Sequence, residues 1–246
     1  MLKAIFFGFH GVIIKDDDIH PRLISELLLA ENLRFDPDDY RETYLGRSDR
    51  ARLVAILQSR GRFVRDDYLD QLLRKKAEGY REWLRSQPQL SLYPGLDDLL
   101  YRIRTKQYAT AIVTGAQRAD VEAVLATAQL TEHFSLVVSA SDMAVSASKP
   151  APDSYLAAID QLNLRDPALA LTPQNCLAIE SCFAGVEAAK AAGIPVVGVA
   201  QLYPYHMIQR CATWAVDYLN EIDFDWIAPR FEPGSNTATM SEKPAV

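Results

Sequence analysis

Few side chains in this 246-residue sequence are placed to do chemistry, and they fall into histidines, cysteines and one run of acids. His10 closes the apolar stretch that begins at Ala4, and an imidazole with a pKa near neutrality can exchange protons. Asp16, Asp17 and Asp18 follow a few residues later, where their position predicts a solvated or helix-capping acid run rather than a reacting group. His20 reads as a surface histidine near a helix start, and His133 and His206 fall near helix ends or loops without a chemical role. Cys176, Cys182 and Cys211 are odd in number and lack CxxC spacing, which points to neither a disulfide framework nor a zinc site. That usage fits a reducing, cytoplasmic setting.

These residues need elements to position them, and the hydrophobic pattern supplies two kinds. Short apolar runs rich in β-branched or aromatic residues occur at Ala4 to Phe9, Ala109 to Val113, Leu136 to Val138, Cys176 to Ile179, Pro195 to Val199 and Trp214 to Val216. Each has the length of a strand buried on both faces. Amphipathic stretches of helical period lie between the later runs, at Arg118 to Gln129, Asp153 to Leu162 and Gly185 to Ala192. Strands alternating with helices predict βαβ units, hence a Rossmann-like α/β core: a parallel sheet with helices on both faces. Residues 16–89 break the alternation with helical, charged stretches such as Pro21 to Glu31, Asp49 to Arg60 and Asp67 to Ser86. They read as a helical insertion after the first strand, and Tyr93, Pro94 and Gly95 turn the chain back. The expected division is a core of residues 1–15 and 90–230, an insertion of 16–89, and a polar, disordered tail of 231–246.

Composition narrows the partners. The hydrophobic fraction of 49% can fill the core of one large α/β domain, and the formal charge of -6 opposes nucleic-acid or anionic-membrane binding. The opening stretch faintly mimics a secretory signal, but Gly8, His10 and Gly11 interrupt it and no small-residue cleavage site follows. No run approaches the roughly 18 apolar residues of a membrane span. A phosphorylated small molecule or a protein partner is expected, with no nucleic acid and no membrane insertion.

Four segments resemble the motifs of the haloacid dehalogenase (HAD) superfamily, in its β-phosphoglucomutase and CbbY-like phosphatase group. Phe7-Gly8-Phe9-His10-Gly11-Val12 stands where the family has Asp-x-Asp-Gly-Val or Asp-x-Asp-Gly-Thr, and Thr114-Gly115 stands where it has a phosphate-binding Ser or Thr. Lys149-Pro150-Ala151-Pro152-Asp153 is similar to its lysine motif, and Glu180-Ser181-Cys182-Phe183-Ala184-Gly185 to its Glu-Asp-Ser-x-x-Gly motif. The resemblance spans residues 1 to about 225, and it makes the helical insertion a small cap domain. Tyr44-Leu45-Gly46-Arg47-Ser48-Asp49-Arg50 resembles the cap's substrate-facing turn, so Arg47 either reaches a substrate's distal group or is a solvated helix-start arginine.

Carried over residue by residue, the resemblance implies a fold without its usual reaction. In the family a carboxylate at position 8 attacks phosphorus and binds Mg²⁺, and one at position 10 is the acid/base group. Gly8 has no side chain, His10 would be an acid/base without a nucleophile to serve, and Ser181 removes a second metal-binding acid. Lys15 replaces a further acid of the group. Only Glu180 and the carbonyl of residue 10 remain for Mg²⁺, which needs several hard oxygen ligands, so Mg²⁺ binding is expected to be weak or absent and no cofactor is expected. Losing one nucleophile costs on the order of 10⁶ in rate in a well-studied hydrolase. Thr114, Gly115 and Lys149 keep the implied phosphate cradle. The plainer alternative has Thr114 capping the following helix and Lys149 pairing with Glu180. Cys182 could be a reactive thiol if Lys149 lowered its pKa, but a small buried cysteine is the commoner case. The expected function is a HAD-like pseudoenzyme, without phosphotransferase or phosphatase activity, that binds a phosphometabolite or a protein. The alternatives are a HAD hydrolase, phosphatase or mutase, with a modified mechanism such as a phosphohistidine at His10, and a scaffold docking onto a larger complex.

Overall fold

The computed structural model describes residues 1–34 and 40–232. Six parallel strands form one sheet: β1 (Ala4–Phe7), β2 (Ala109–Val113), β3 (Leu136–Val138), β4 (Cys176–Glu180), β5 (Val196–Val199) and β6 (Trp214–Val216), in the order β3-β2-β1-β4-β5-β6. Ala4 pairs with Ala109 on one side and Cys176 on the other, which makes β1 the centre of the sheet.

Side chains alternate across a strand, and both faces of these strands are buried. Ile5, Phe7, Leu177 and Ile179 enter one core, against α4 (Leu96–Thr105), α5 (Arg118–Thr127) and α8 (Phe224–Ile227). Ala4, Phe6, Cys176 and Ala178 enter the other, against α6 (Asp153–Arg165) and α7 (Phe183–Ala191). The Rossmann-like reading holds. β1 is shorter than its apolar run because the chain turns at Phe9, whose carbonyl accepts from the amides of Val12, Ile13 and Ile14.

Between β1 and β2 lie α1 (Ile19–Ala30), α2 (Asp49–Ser59) and α3 (Asp66–Ser86). They share a hydrophobic cluster of their own, built from Ile24 and Leu28, Leu53 and Leu57, and Leu69 and Leu72. Ser48 caps α2, its Oγ accepting from the amide of Ala51 at 3.3 Å. The turn before that cap presses on the core: a Cβ added to Gly115 would lie 2.9 Å from the backbone of Arg47, and the Ser48 amide donates to Ser148 Oγ at 2.8 Å. Phe231, at the head of the expected tail, is instead buried against Trp214 at 6.4 Å between ring centroids. The remainder of that expected tail, 233–246, lies outside the described residues.

Phe7 is fully buried and meets Phe134 edge-on at 5.4 Å. Phe7→Ala should cost about 3–5 kcal/mol in a denaturant titration, whereas Tyr101→Ala on the exposed face of α4 should stay within about 0.5 kcal/mol of wild type.

Candidate functional site

Because β2, β1 and β4 are adjacent and parallel, their C-terminal ends deliver Thr114, Gly8 and Glu180 to one edge of the sheet, the place where open α/β sheets bind ligands. Gly8, His10, Thr114, Gly115, Lys149 and Glu180 line a common cleft there, together with Arg47 from the insertion. Every site residue expected from the sequence reaches the cleft except Ser181, which is buried behind it.

The polar groups of the cleft are already engaged with one another. Lys149 forms a buried ion pair with Glu180 Oε1 and donates to the carbonyl of Val113 at 2.8 Å, while the Tyr155 hydroxyl donates to the same Glu180 oxygen at 2.6 Å. Thr114 Oγ1 accepts from the amide of Ala116 at 3.1 Å. The Lys149–Glu180 pairing expected under the plainer alternative is therefore present, whereas Thr114 bonds within the turn before the next helix, which starts at Gln117 without a side-chain cap. Each group nonetheless retains donor capacity, an O–H on Thr114 and a third N–H on Lys149. The other Glu180 oxygen packs against Gly8, where an added Cβ would lie 2.7 Å from it. A side chain at position 8 would have to displace Glu180 from its partners.

These residues do not fit Mg²⁺. The ion requires near-octahedral oxygen ligands, usually with carboxylates among them. Position 8 offers none, Ser181 Oγ donates to the His10 carbonyl at 3.3 Å, and Glu180 is neutralised by Lys149. Cys182 is no nucleophile either, since burial, aided by the negative charge of Glu180, pushes its thiol up to about 12 despite Lys149.

The acid run and His20 are corrected by the structure. Asp16 is 2% exposed, His20 is 5% exposed, and Asp18 makes no side-chain cap to α1. Asp16 accepts from three groups: His10 Nδ1 at 2.9 Å, His20 Nε2 at 3.2 Å and the Tyr80 hydroxyl at 2.6 Å. Burial alone would raise the Asp16 pKa, but the two histidines outweigh it and hold the carboxyl well below the usual range. His20 is pushed the other way, down to about 3, by burial and by the Lys76 ammonium. Lys76 Nζ lies 3.0 Å from His20 Nδ1 and 2.7 Å from Asp49 Oδ2. Arg52 continues the chain, donating to Asp49 at 3.1 Å and to the Arg47 carbonyl at 3.0 Å. One connected network thus runs from the loop after β1 to the turn that carries Arg47.

The same network fixes protons. An ammonium can only donate, so Lys76 occupies the lone pair of His20 Nδ1, and neutral His20 carries its proton on Nε2, facing Asp16. His10, Asp16 and His20 bring three potential metal-ligand atoms within 4.8 Å of one another. With Nε2 protonated, His20 is a donor to Asp16 rather than a ligand. Asp17 is a different kind of acid: burial, partly offset by a 2.5 Å hydrogen bond from Tyr93, raises it to about 6.

A family model for haloacid dehalogenase-like hydrolases matches residues 2–193. The chain belongs to that family. Within it, the resemblance is to the CbbY and β-phosphoglucomutase-like group: the chain is 29% identical over 223 residues to protein CbbY of Rhodobacter capsulatus, covering 89% of this chain and 94% of that protein. It is 26% identical over 205 residues to the β-phosphoglucomutase of Bacillus subtilis, covering 82% and 85%. Among solved structures, a β-phosphoglucomutase from Clostridium difficile superposes with a TM-score of 0.79 at 21% identity, covering 94% of this chain and 97% of that one. CbbY from Rhodobacter sphaeroides, solved with phosphate, superposes with a TM-score of 0.72 at 24% identity, covering 90% and 96%. No helix of the described HAD chain is long and apolar enough to cross a membrane.

His20 stays neutral in the fold below its ordinary pKa, so its contribution to stability is present above about 6.5 and is lost as pH falls towards 3. At about 1.4 kcal/mol per pKa unit, the loss should reach a few kcal/mol. Unfolding free energies measured between pH 7 and 4 should fall more steeply for wild type than for His20→Gln, which lacks the titrating group.

Proposed function

We propose that this HAD-family chain binds a phosphorylated small molecule at the strand ends and does not carry out the Mg²⁺-dependent aspartyl-phosphate reaction. It is a pseudoenzyme in that respect. One observation carries the reading: Gly8 stands at the end of the central strand, with the Glu180 carboxylate packed against it and paired to Lys149. Nothing at that point can attack phosphorus, and the one remaining carboxylate has its counter-ion already.

The binding half of the proposal rests on the donors left over. A phosphate oxygen placed between Thr114 and Lys149 would take the free O–H and the free N–H, and charge-assisted contacts of this kind are among the stronger hydrogen bonds. Glu180 opposes a dianion there, which sets the affinity below that of an unpaired lysine site. The helical insertion, acting as a cap, presents Arg47 to the same cleft for a distal group of the ligand. Support for the ligand class comes from the structurally similar CbbY, whose solved complexes hold phosphate and xylulose-1,5-bisphosphate.

Isothermal calorimetry with inorganic phosphate and sugar phosphates should give the same affinity in Mg²⁺ and in EDTA. Thr114→Val, which keeps the side-chain volume but removes the hydroxyl, should weaken binding about 2–10-fold. Turnover of sugar phosphates with Mg²⁺ should stay at background. Robust Mg²⁺-dependent turnover abolished by Lys149→Ala would overturn the proposal. Gly8→Asp alone should not restore turnover, and it should lower stability because the new side chain meets Glu180.

A further inference from the structure

His10 is held as a nucleophile is held. Asp16 is fully buried at its side chain and accepts from His10 Nδ1 with both oxygens at 2.9 Å, so the ring is pinned by that edge. The His10 side chain keeps 23% of its surface exposed. His10 lines the same cleft as Thr114 and Lys149, and with Nδ1 engaged by Asp16 the ring nitrogen left for a ligand is Nε2. His20 Nε2 lies 3.2 Å from His10 Nδ1, but both Asp16 oxygens lie nearer, at 2.9 Å, so the His10 proton is assigned to Nδ1, towards the carboxylate, and the Nε2 lone pair is left free. His20 and Tyr80 also donate to Asp16, and Lys76 holds His20, so the carboxylate is held in place beside His10. A base oriented by a buried carboxylate and opening onto an anion site is the arrangement that activates histidine in covalent catalysis.

We propose that His10 accepts a phosphoryl group on Nε2 from an acyl phosphate bound in the cleft. The proposal rests on the reading of the cleft as a phosphate site. In the step, the Nε2 lone pair forms the bond to phosphorus as the bond from phosphorus to the acyl oxygen breaks, and that electron pair departs on the carboxylate. The Nδ1 proton stays in place. The ring gains one positive charge, which the Asp16 carboxylate balances. An acyl phosphate suits this site better than an ester because a carboxylate leaves without a proton, whereas an alkoxide needs one. No carboxyl stands at position 8 or 10, and Asp17, which also lines the cleft, has one oxygen committed to the Tyr93 hydroxyl. Mg²⁺ takes no part.

The test uses the full chain in EDTA with acetyl phosphate as the probe. Intact-mass spectrometry should show the gain of one phosphoryl group, labile in acid and stable in alkali, and phosphorus NMR should place it on Nε2. His10→Gln should take up none. Asp16→Asn should slow uptake on the order of 10³–10⁴-fold while inorganic phosphate still binds, because an asparagine amide offers Nδ1 a hydrogen and moves the ring proton to Nε2. If Asp16→Asn does not fold, nitrogen NMR of the wild-type chain decides the same point: a proton on His10 Nε2 overturns the proposal. A chain that binds inorganic phosphate but stays unlabelled overturns the phosphohistidine and leaves the binding site standing. A chain that does neither overturns both. Label that persists in His10→Gln also overturns the assignment.

Discussion

A carboxylate taken out of water is tolerated only when donors replace the solvent it loses. Asp16 meets that requirement with three donors drawn from three parts of the chain: His10 from the loop after β1, His20 from α1 and Tyr80 from α3. Loss of any one donor leaves a buried charge under-satisfied, so the carboxylate ties the insertion to the core as a single polar unit. The tie extends through Lys76, Asp49 and Arg52 to the backbone of Arg47. The Asp49 carboxyl is held well below its usual range because Lys76 and Arg52 together outweigh the burial that would raise it. Charge alternates along this path and every link is short, which is how a polar chain can run through a closed interface between helices and sheet.

At the turn that carries Arg47, the insertion meets the core through its backbone. Gly115 lets the turn at Arg47 approach until no Cβ would fit, and Ser148 satisfies the Ser48 amide that the approach removes from water. Lys149 and Glu180 are themselves buried. In such an environment the Glu180–Lys149 pair is poorly screened, and its geometry is completed by Tyr155 and by the Val113 carbonyl.

The strands were legible in the sequence because each is buried on both faces, so its residues are apolar without alternation and its ends are marked by turns. The strand-end residues Gly8, Thr114 and Glu180 followed, since a parallel sheet with β1 at its centre must bring them together. Asp16 and His20 were not legible. Three adjacent aspartates look solvated in sequence, and the groups that bury Asp16 lie far along the chain, Tyr80 being 64 residues away. Local spacing did carry a partial signal, because Asp16 and His20 stand at i and i+4, the separation at which two side chains at the start of a helix can meet. Reading that pair as a bond would have required knowing that Lys76 and Tyr80 close over it.

On the proposed reading, the missing nucleophile and the missing metal site are physically one change. In the cleft as it stands, Glu180 carries one negative charge and Lys149 one positive charge, and the two meet directly. A side chain at position 8 would start 2.7 Å from a Glu180 oxygen at its Cβ, so a carboxylate there would add a second negative charge beside Glu180, whose paired cation is Lys149. Two carboxylates so placed either share a proton, which ends nucleophilic attack, or require an additional cation. With Gly8 that requirement disappears, and Ser181 can turn its hydroxyl onto the His10 carbonyl instead of serving an ion. His10 is then held by groups of the protein alone, its carbonyl accepting from the Ser181 hydroxyl and its ring meeting the Asp16 carboxylate. The cleft is neutral without metal, and it is the absence of a charge at position 8 that makes it so.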